Sequence, residues 1–165
     1  MFIRILLIVL LSSGCLYSIQ EDPWVLLIKK CNQEKFSIRF PQDPEFIFST
    51  TEKSHHFFFE SDGFEHHLKV RQRGGEDHVQ VFQQVKEKLE FSKEHTILET
   101  SEKIRPAKSY LDIKSQILGE NSKIYEVRTI ITKENIYTLE TFRLTGVEAG
   151  HAGFLKSFQL LKNFS

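Results

Sequence analysis

The feature that most constrains this 165-residue chain is a pair of alternating segments around one turn. The segment His55–Ser61 precedes the dipeptide Asp62–Gly63, and Phe64–Arg71 follows it. Asp-Gly favours a two-residue hairpin turn, and strand side chains alternate between two faces. Closing the hairpin at this dipeptide creates one apolar face, made of Phe57, Phe59, Leu68 and Val70. The chain is therefore predicted to contain an antiparallel sheet.

Periodicity elsewhere predicts further strands and two helices. Residues 36–40 alternate as a strand that ends at a proline, and Phe46 and Phe48 suggest another short extended piece. Residues 76–92 carry a helical stripe of Val79, Phe82, Val85 and Leu89. After a loop, residues 111–144 read as three strands joined by short turns, which favours a meander. Residues 147–161 read as a second helix.

These elements predict one α+β domain in which helices cover an antiparallel sheet. Fifteen phenylalanines indicate an aromatic core. The predicted organisation is a signal peptide over residues 1–14, a lipid anchor and tether over 15–34, and the single α+β domain over 35–165.

The N-terminus has the pattern of an export signal. Arg4 precedes the seven-residue apolar run 5–11, and Ser12, Ser13 and Gly14 then lead into Cys15. A transmembrane span needs about 20 apolar residues, so this run is too short to cross a bilayer. The Ser-Gly-Cys ending resembles the bacterial lipobox, which implies a lipid on Cys15, with palmitate among the acyl chains. Ser12 departs from that pattern, since leucine is preferred there. An ordinary cleaved signal and an intracellular N-terminal helix are the alternatives.

The order of elements resembles the PsbP-like superfamily, which includes the photosystem subunit PsbP and the Ran-binding protein Mog. The resemblance rests on the strand that runs into Pro41, on a central helix followed by a meander, and on the ending Phe154–Phe158. It covers about residues 35–162 and implies a binding or assembly-support role without catalysis. No functional residue of that family can be carried over to this chain.

The hairpin histidines are the candidate metal ligands. His55, His56, His66 and His67 lie on its two arms, and imidazole is a common ligand of zinc and copper. The predicted pairing places His66 opposite Phe59 and His67 opposite Phe58, so the two pairs do not oppose each other. The alternative is a half-buried sheet surface on which histidines only pack. A metal site would require at least three ligands to converge, drawn from these four histidines, His78 and acidic neighbours.

Cys31 is the second of two cysteines. It is a lone thiol if Cys15 is lipidated, and a Cys15–Cys31 disulfide is open to it otherwise. Nothing adjacent indicates an activated nucleophile. Glycines surround His151, but their spacing is not that of a dinucleotide-binding loop.

Charge excludes some classes of function. The chain has 22 basic and 22 acidic residues, with no basic stripe for nucleic acid. Acidic residues on predicted strands, such as Asp112, Glu126 and Glu140, are expected to be solvated. The expected function is that of a bacterial envelope lipoprotein, held at the periplasmic face or outer membrane through Cys15. It would bind a protein partner through an exposed apolar patch, with no enzymatic activity and no cofactor. The alternative is an exported metal-binding protein or hydrolase that uses the histidine-rich hairpin.

Overall fold

The computed structural model describes residues 24–61, 63–92, 94–105, 107–117, 122–145 and 153–161. Strands account for 61% of these residues and helices for 15%. The predicted signal peptide, Cys15 and His151 lie outside the described residues. Within the described part, no helix has the length and apolar character needed to cross a membrane.

Seven strands form one antiparallel sheet. Their order across the sheet is β3-β4-β5-β9-β8-β7-β6. The bounds are β3 Glu45–Ser49, β4 Ser54–Ser61, β5 Phe64–Gln72, β6 His95–Lys103, β7 Ser109–Ile117, β8 Lys123–Ile131 and β9 Asn135–Leu144. The predicted hairpin is β4–β5, and its register pairs Phe57 with Leu68 and Phe59 with His66, as predicted. Gly63 has a φ of 95°, a left-handed conformation that glycine adopts without strain.

Three strands form a second, smaller sheet with the order β1-β2-β10. Strand β1 covers Val25–Cys31, β2 covers Glu34–Phe40 and β10 covers Gln159–Leu161. Strand β1 lies inside the segment that the sequence assigned to the tether, so the sheet structure begins before residue 35. The pairing of β10 with β2 joins the end of the described chain to its beginning.

The predicted α+β fold is wrong, because the small sheet and not a layer of helices covers one face of the large sheet. Phe36, Ile38 and Phe40 of β2 share a buried cluster with residues of the large sheet, namely Phe57, Leu68, Val70, Ile130, Tyr137 and Leu139. The protein is therefore mainly β, with two antiparallel sheets. Alternation along a strand predicts which residues are buried, but not whether a helix or another sheet buries them.

Helix α1, His78–Glu90, lies on the opposite face of the large sheet. Asp77 caps it by accepting a hydrogen bond from the backbone N–H of Val79 at 3.1 Å. Val81, Phe82 and Leu89 are its buried residues, and they pack on a cluster that includes Leu111, Ile113 and Val127. The predicted stripe was wrong at Val79, which is 57% exposed.

The predicted closing helix ends earlier than expected. Residues 147–152 of that prediction lie outside the described residues; helix α2 covers Gly153–Ser157, and residues 159–161 form β10 instead of continuing the helix. The ring of Phe158 stacks on Phe36 at 5.8 Å and lies 5.0 Å from Tyr137. These aromatic contacts with both sheets fix the chain as it leaves α2 for β10. Strand β6, in a region predicted as a loop, was also missed.

A polar network ties the two sheets together around Glu34 at the start of β2. One carboxylate oxygen of Glu34 accepts hydrogen bonds from Thr132 Oγ1 at 2.7 Å, from Asn135 Nδ2 at 2.8 Å and from the Tyr137 hydroxyl at 3.0 Å. Burial and the adjacent Glu34 carboxylate both raise the pKa of Tyr137, so its hydroxyl stays protonated and donates. The small sheet is therefore held to the large one by directional bonds as well as by its apolar core.

Candidate functional site

A cleft runs between the edge of the small sheet and the β3–β4 edge of the large sheet. Two cavities of about 400 Å³ and 450 Å³ share Cys31 and His55 in their walls, which makes them parts of one cleft. Strand β1 forms one wall, and Phe46 and Phe48 of β3 contribute to the other. The cleft, defined by these residues, is the main concave feature of this edge of the molecule.

Strand β3 presents apolar side chains along this edge. Pro44 ends the preceding loop, and the sequence Glu-Phe-Ile-Phe-Ser has the β-branched and aromatic content of a strand. Phe46, Ile47 and Phe48 are 53%, 54% and 48% exposed. Their exposure follows from position, because among the described strands β3 pairs only with β4 and none lies on its outer side.

His55 lies on the β3 side of the cleft, between aromatic rings. Its ring is 5.9 Å from the ring of Phe46 and 5.0 Å from the ring of Phe48. Phe46 in turn contacts the buried Phe57 at 4.9 Å. One aromatic surface thus runs from the core to the exposed edge, and His55 belongs to it as a packing residue.

The rim of the cleft is mainly basic. Lys29, Lys30 and Lys53 line it, and Asp43 is the acidic residue in its walls. Burial raises the pKa of the Cys31 thiol at the base of the cleft, which keeps the sulfur protonated and unreactive. The arrangement suits binding of an apolar segment with acidic flanks better than nucleophilic chemistry.

The other edge of the large sheet has a different character. Strand β6 forms it, and the pairing with β7 is interrupted by a bulge between Ile97 and Glu99. Beyond the bulge Glu102 accepts from Lys86 of helix α1 at 2.8 Å. Bulges and charges are common protection against pairing with another strand. Strand β3 carries no comparable protection in its three central residues.

The four candidate histidines separate onto two faces of the sheet. His55 faces the cleft, and His66 is fully buried on the same face, stacked on Phe154 at 4.5 Å. His56 and His67 lie on the opposite face. The structure therefore does not bring the four together as one ligand set, and His66 is a core residue.

His56 and His67 do meet, although they are not directly opposed. His56 pairs with Lys69 and His67 with Phe58, so the two histidines are diagonal neighbours. The Nε2 atom of His56 lies 3.1 Å from Nδ1 of His67. Burial lowers the pKa of His56, and the neighbouring His67 lowers it further, which favours a neutral imidazole there. Direct opposition in the predicted register pairs neither histidine with the other, so the register alone did not predict this diagonal contact.

Acidic side chains next to His67 complete a second cluster. Glu60 and Glu65 are directly opposed across the hairpin, and Glu65 shares a face with His67. One ligand atom from each of Glu60, Glu65 and His67 lies within 4.8 Å of the other two. His67 was a predicted candidate ligand, whereas neither glutamate was predicted. Their direct opposition next to the turn was the available signal.

Three other acidic residues are paired within the large sheet. Asp112 accepts from Arg128 at 2.7 and 3.0 Å, and Glu140 accepts from the Tyr125 hydroxyl at 3.1 Å. Glu126 lies 4.0 Å from Lys114. These carboxylates therefore stabilise strand pairing. The sequence predicted that they would be solvated, but each of them has a specific partner.

Comparison with known proteins identifies the fold but not a family. Neither a family model nor a curated protein matches the sequence, so the resemblance to PsbP and Mog is not confirmed. A crystal structure of LpqN, described as involved in cell envelope biogenesis of Mycobacterium tuberculosis, matches with a TM-score of 0.57 and 9% identity, over 90% of this chain and 100% of LpqN. A protein of unknown function from Pseudomonas aeruginosa, PA94, described as a putative regulator, has a TM-score of 0.45 and 9% identity, over 77% of this chain and 88% of its own.

Proposed function

We propose that this chain is a bacterial envelope lipoprotein, anchored through Cys15, that binds an extended segment of a protein partner along strand β3 and catalyses no reaction. The observation that carries this proposal is the apolar, unprotected β3 edge with its exposed Phe46, Ile47 and Phe48. The fold likeness to LpqN, a protein described as involved in envelope biogenesis, is compatible with this compartment.

Strand addition explains why the β3 edge is built this way. The outer N–H and C=O groups of an edge strand are available to pair with another extended chain, and alternate side chains then fill pockets on either side. Phe46 and Phe48 point to the cleft side, and Ile47 points to the opposite face. An added strand would therefore gain apolar contacts on both faces of the sheet.

The rim of the cleft indicates the chemistry of the partner. Lys29 and Lys30 lie on the β1 side of the cleft, and Lys53 lies beside β3. Basic residues beside an apolar surface favour partners with acidic side chains next to an apolar stretch, mainly through faster association. The partner segment is accordingly extended, apolar at alternate positions and acidic at its ends.

Two isoleucines of equal exposure allow a matched test. Ile47 on β3 and Ile104 just after β6 are both 54% exposed, at opposite edges of the large sheet. A photo-crosslinking amino acid is placed at each position of the full chain in its native host. We expect an adduct of one defined mass at position 47, lost when Phe46→Lys and Phe48→Lys are added, and none at position 104. Equal labelling at both positions, or no adduct at 47, would contradict the edge assignment.

The anchor is tested separately by mass spectrometry of the membrane-purified protein. A lipid-sized mass increase on an N-terminal Cys15 is expected. A mature N-terminus elsewhere would refute the anchor and leave the edge result standing. The two measurements therefore fail independently.

A further inference from the structure

The end of the β4–β5 hairpin places two like charges against each other. Glu60 and Glu65 are directly opposed, an arrangement that destabilises a strand pair unless a cation is near. Lys123 lies 3.4 Å from one oxygen of Glu65 and offsets part of this charge. The other Glu65 oxygen lies 3.5 Å from Nε2 of His67. Two carboxylates and one imidazole thus converge, while Lys123 is the one lysine in contact with either carboxylate among the residues that the structure describes.

The imidazole of His67 is held in a defined orientation. Its ring stacks on Phe58 at 6.1 Å with the planes 10° apart, and the edge of Phe142 lies 5.9 Å away. The Nε2 atom is shielded from solvent and has no hydrogen-bond partner among the described residues. The His67 ring therefore has a fixed orientation and a nitrogen without a hydrogen bond beside carboxylates. This is the arrangement expected of a metal ligand.

His56 supplies the partner that a ligating imidazole needs. When His67 Nδ1–H donates to His56 Nε2, the lone pair of His67 is on Nε2, which faces Glu65. Metal-bound histidines nearly always donate their second N–H to a hydrogen-bond acceptor, commonly a carboxylate, a backbone carbonyl or water, which fixes the tautomer and the ring orientation; the Nε2 lone pair of His56 can serve as that acceptor here. His56 is therefore a positioning residue for His67 rather than a ligand.

We propose that Glu60, Glu65 and His67 bind one divalent transition-metal ion, with Zn²⁺ as the ion this nitrogen and oxygen donor set favours. Three protein ligands leave a fourth position for water, as in tetrahedral zinc sites. Glu60 is exposed and Glu65 and His67 are partly buried, so the site combines a solvent-exposed carboxylate with the shielded Nε2 atom of His67. The site differs from the set expected from the sequence, since it excludes His55 and His66 and includes two glutamates.

Calorimetric titration of the metal-free, full-length protein with ZnCl₂ tests this site. We expect one Zn²⁺ per chain, at least tenfold weaker binding for His67→Gln, and a loss of about tenfold or more for His56→Phe through the lost orientation of His67. His55→Gln is the matched control, because it removes a histidine from the same hairpin on the opposite face.

A second variant distinguishes the loss of a metal ligand from the loss of the folded structure. Glu60→Gln alters an exposed side chain and should weaken binding without changing the circular dichroism spectrum. The proposal is overturned if the native protein binds no Zn²⁺, if His55→Gln weakens binding as much as His67→Gln, or if Glu60→Gln and His67→Gln both bind like the native protein. This titration measures Zn²⁺ binding and the β3-edge test measures crosslinking to a protein partner, so either result can fail while the other stands.

Discussion

At the scale of single residues, Glu34 contributes more to the contact between the two sheets than its partly exposed position suggests. Its carboxylate accepts from three side chains of the large sheet, two of which, Asn135 and Tyr137, are fully buried. Buried donors that lose their acceptor cost more than the hydrogen bond itself, because they were already removed from water. The junction of the two sheets is therefore sensitive to this one side chain.

Replacing Glu34 separates the role of the acceptor from that of the charge. We expect Glu34→Ala to lower the free energy of unfolding by about 2–3 kcal/mol, because the buried Tyr137 hydroxyl loses its acceptor and Thr132 and Asn135 each lose one of their acceptors. Glu34→Gln keeps an acceptor oxygen and should cost about 1 kcal/mol. Urea denaturation of both variants provides the measurement. Equal losses for the two would mean that charge, and not hydrogen bonding, dominates at this position.

At the scale of elements, the sequence predicts the local pairings well. The β4–β5 register and the three-strand meander follow from alternation and short turns, and α1 follows from its apolar stripe. Strand β10 could not be predicted, because its partner β2 lies at the other end of the chain. The Glu34–Tyr137 hydrogen bond could not be predicted for the same reason, because it joins residues 103 positions apart. Contacts of this kind leave no periodic pattern in either segment.

The same reasoning applies to the hairpin histidines. Register predicts which residues are directly opposed, and that part was confirmed by the Phe59–His66 pair. The contact between His56 and His67 is diagonal, and aromatic side chains reach across that distance only when their rotamers allow it. The face occupied by each histidine was therefore predictable, but their mutual contact was not.

Helix α1 offers a direct comparison between a buried and an exposed position of the predicted stripe. Phe82 is 1% exposed and packs on the large sheet, whereas Val79 is 57% exposed. We expect Phe82→Ala to lower the free energy of unfolding by about 3–5 kcal/mol, and Val79→Ala to change it by less than about 0.5 kcal/mol. Thermal or urea unfolding measures both. A large loss of unfolding free energy for Val79→Ala would instead mean that this side chain lies in the core. The helix would then be rotated about its axis relative to the orientation described here.

At the scale of the whole molecule, the two sheets share one core and one polar network. The ring of Phe36 contacts the ring of Tyr137, and the ring of Phe40 contacts the ring of Phe154. Glu34 accepts hydrogen bonds from side chains of the large sheet. The large sheet also packs against helix α1 through a second apolar cluster, whereas the buried apolar residues of the small sheet all belong to the shared core. The domain should therefore unfold as one cooperative unit, as domains of this size usually do.

The single tryptophan tests that cooperativity. Trp24 lies at the start of β1, packs against the shared core and is 5.8 Å from His66, so its fluorescence reports on the small sheet. Far-ultraviolet circular dichroism reports mainly on the large sheet, which holds seven of the ten described strands. We expect the two signals to give the same urea midpoint and the same slope in the full-length protein. If the fluorescence transition came first, the small sheet would be a separately unfolding layer, and the cleft would open without loss of the domain.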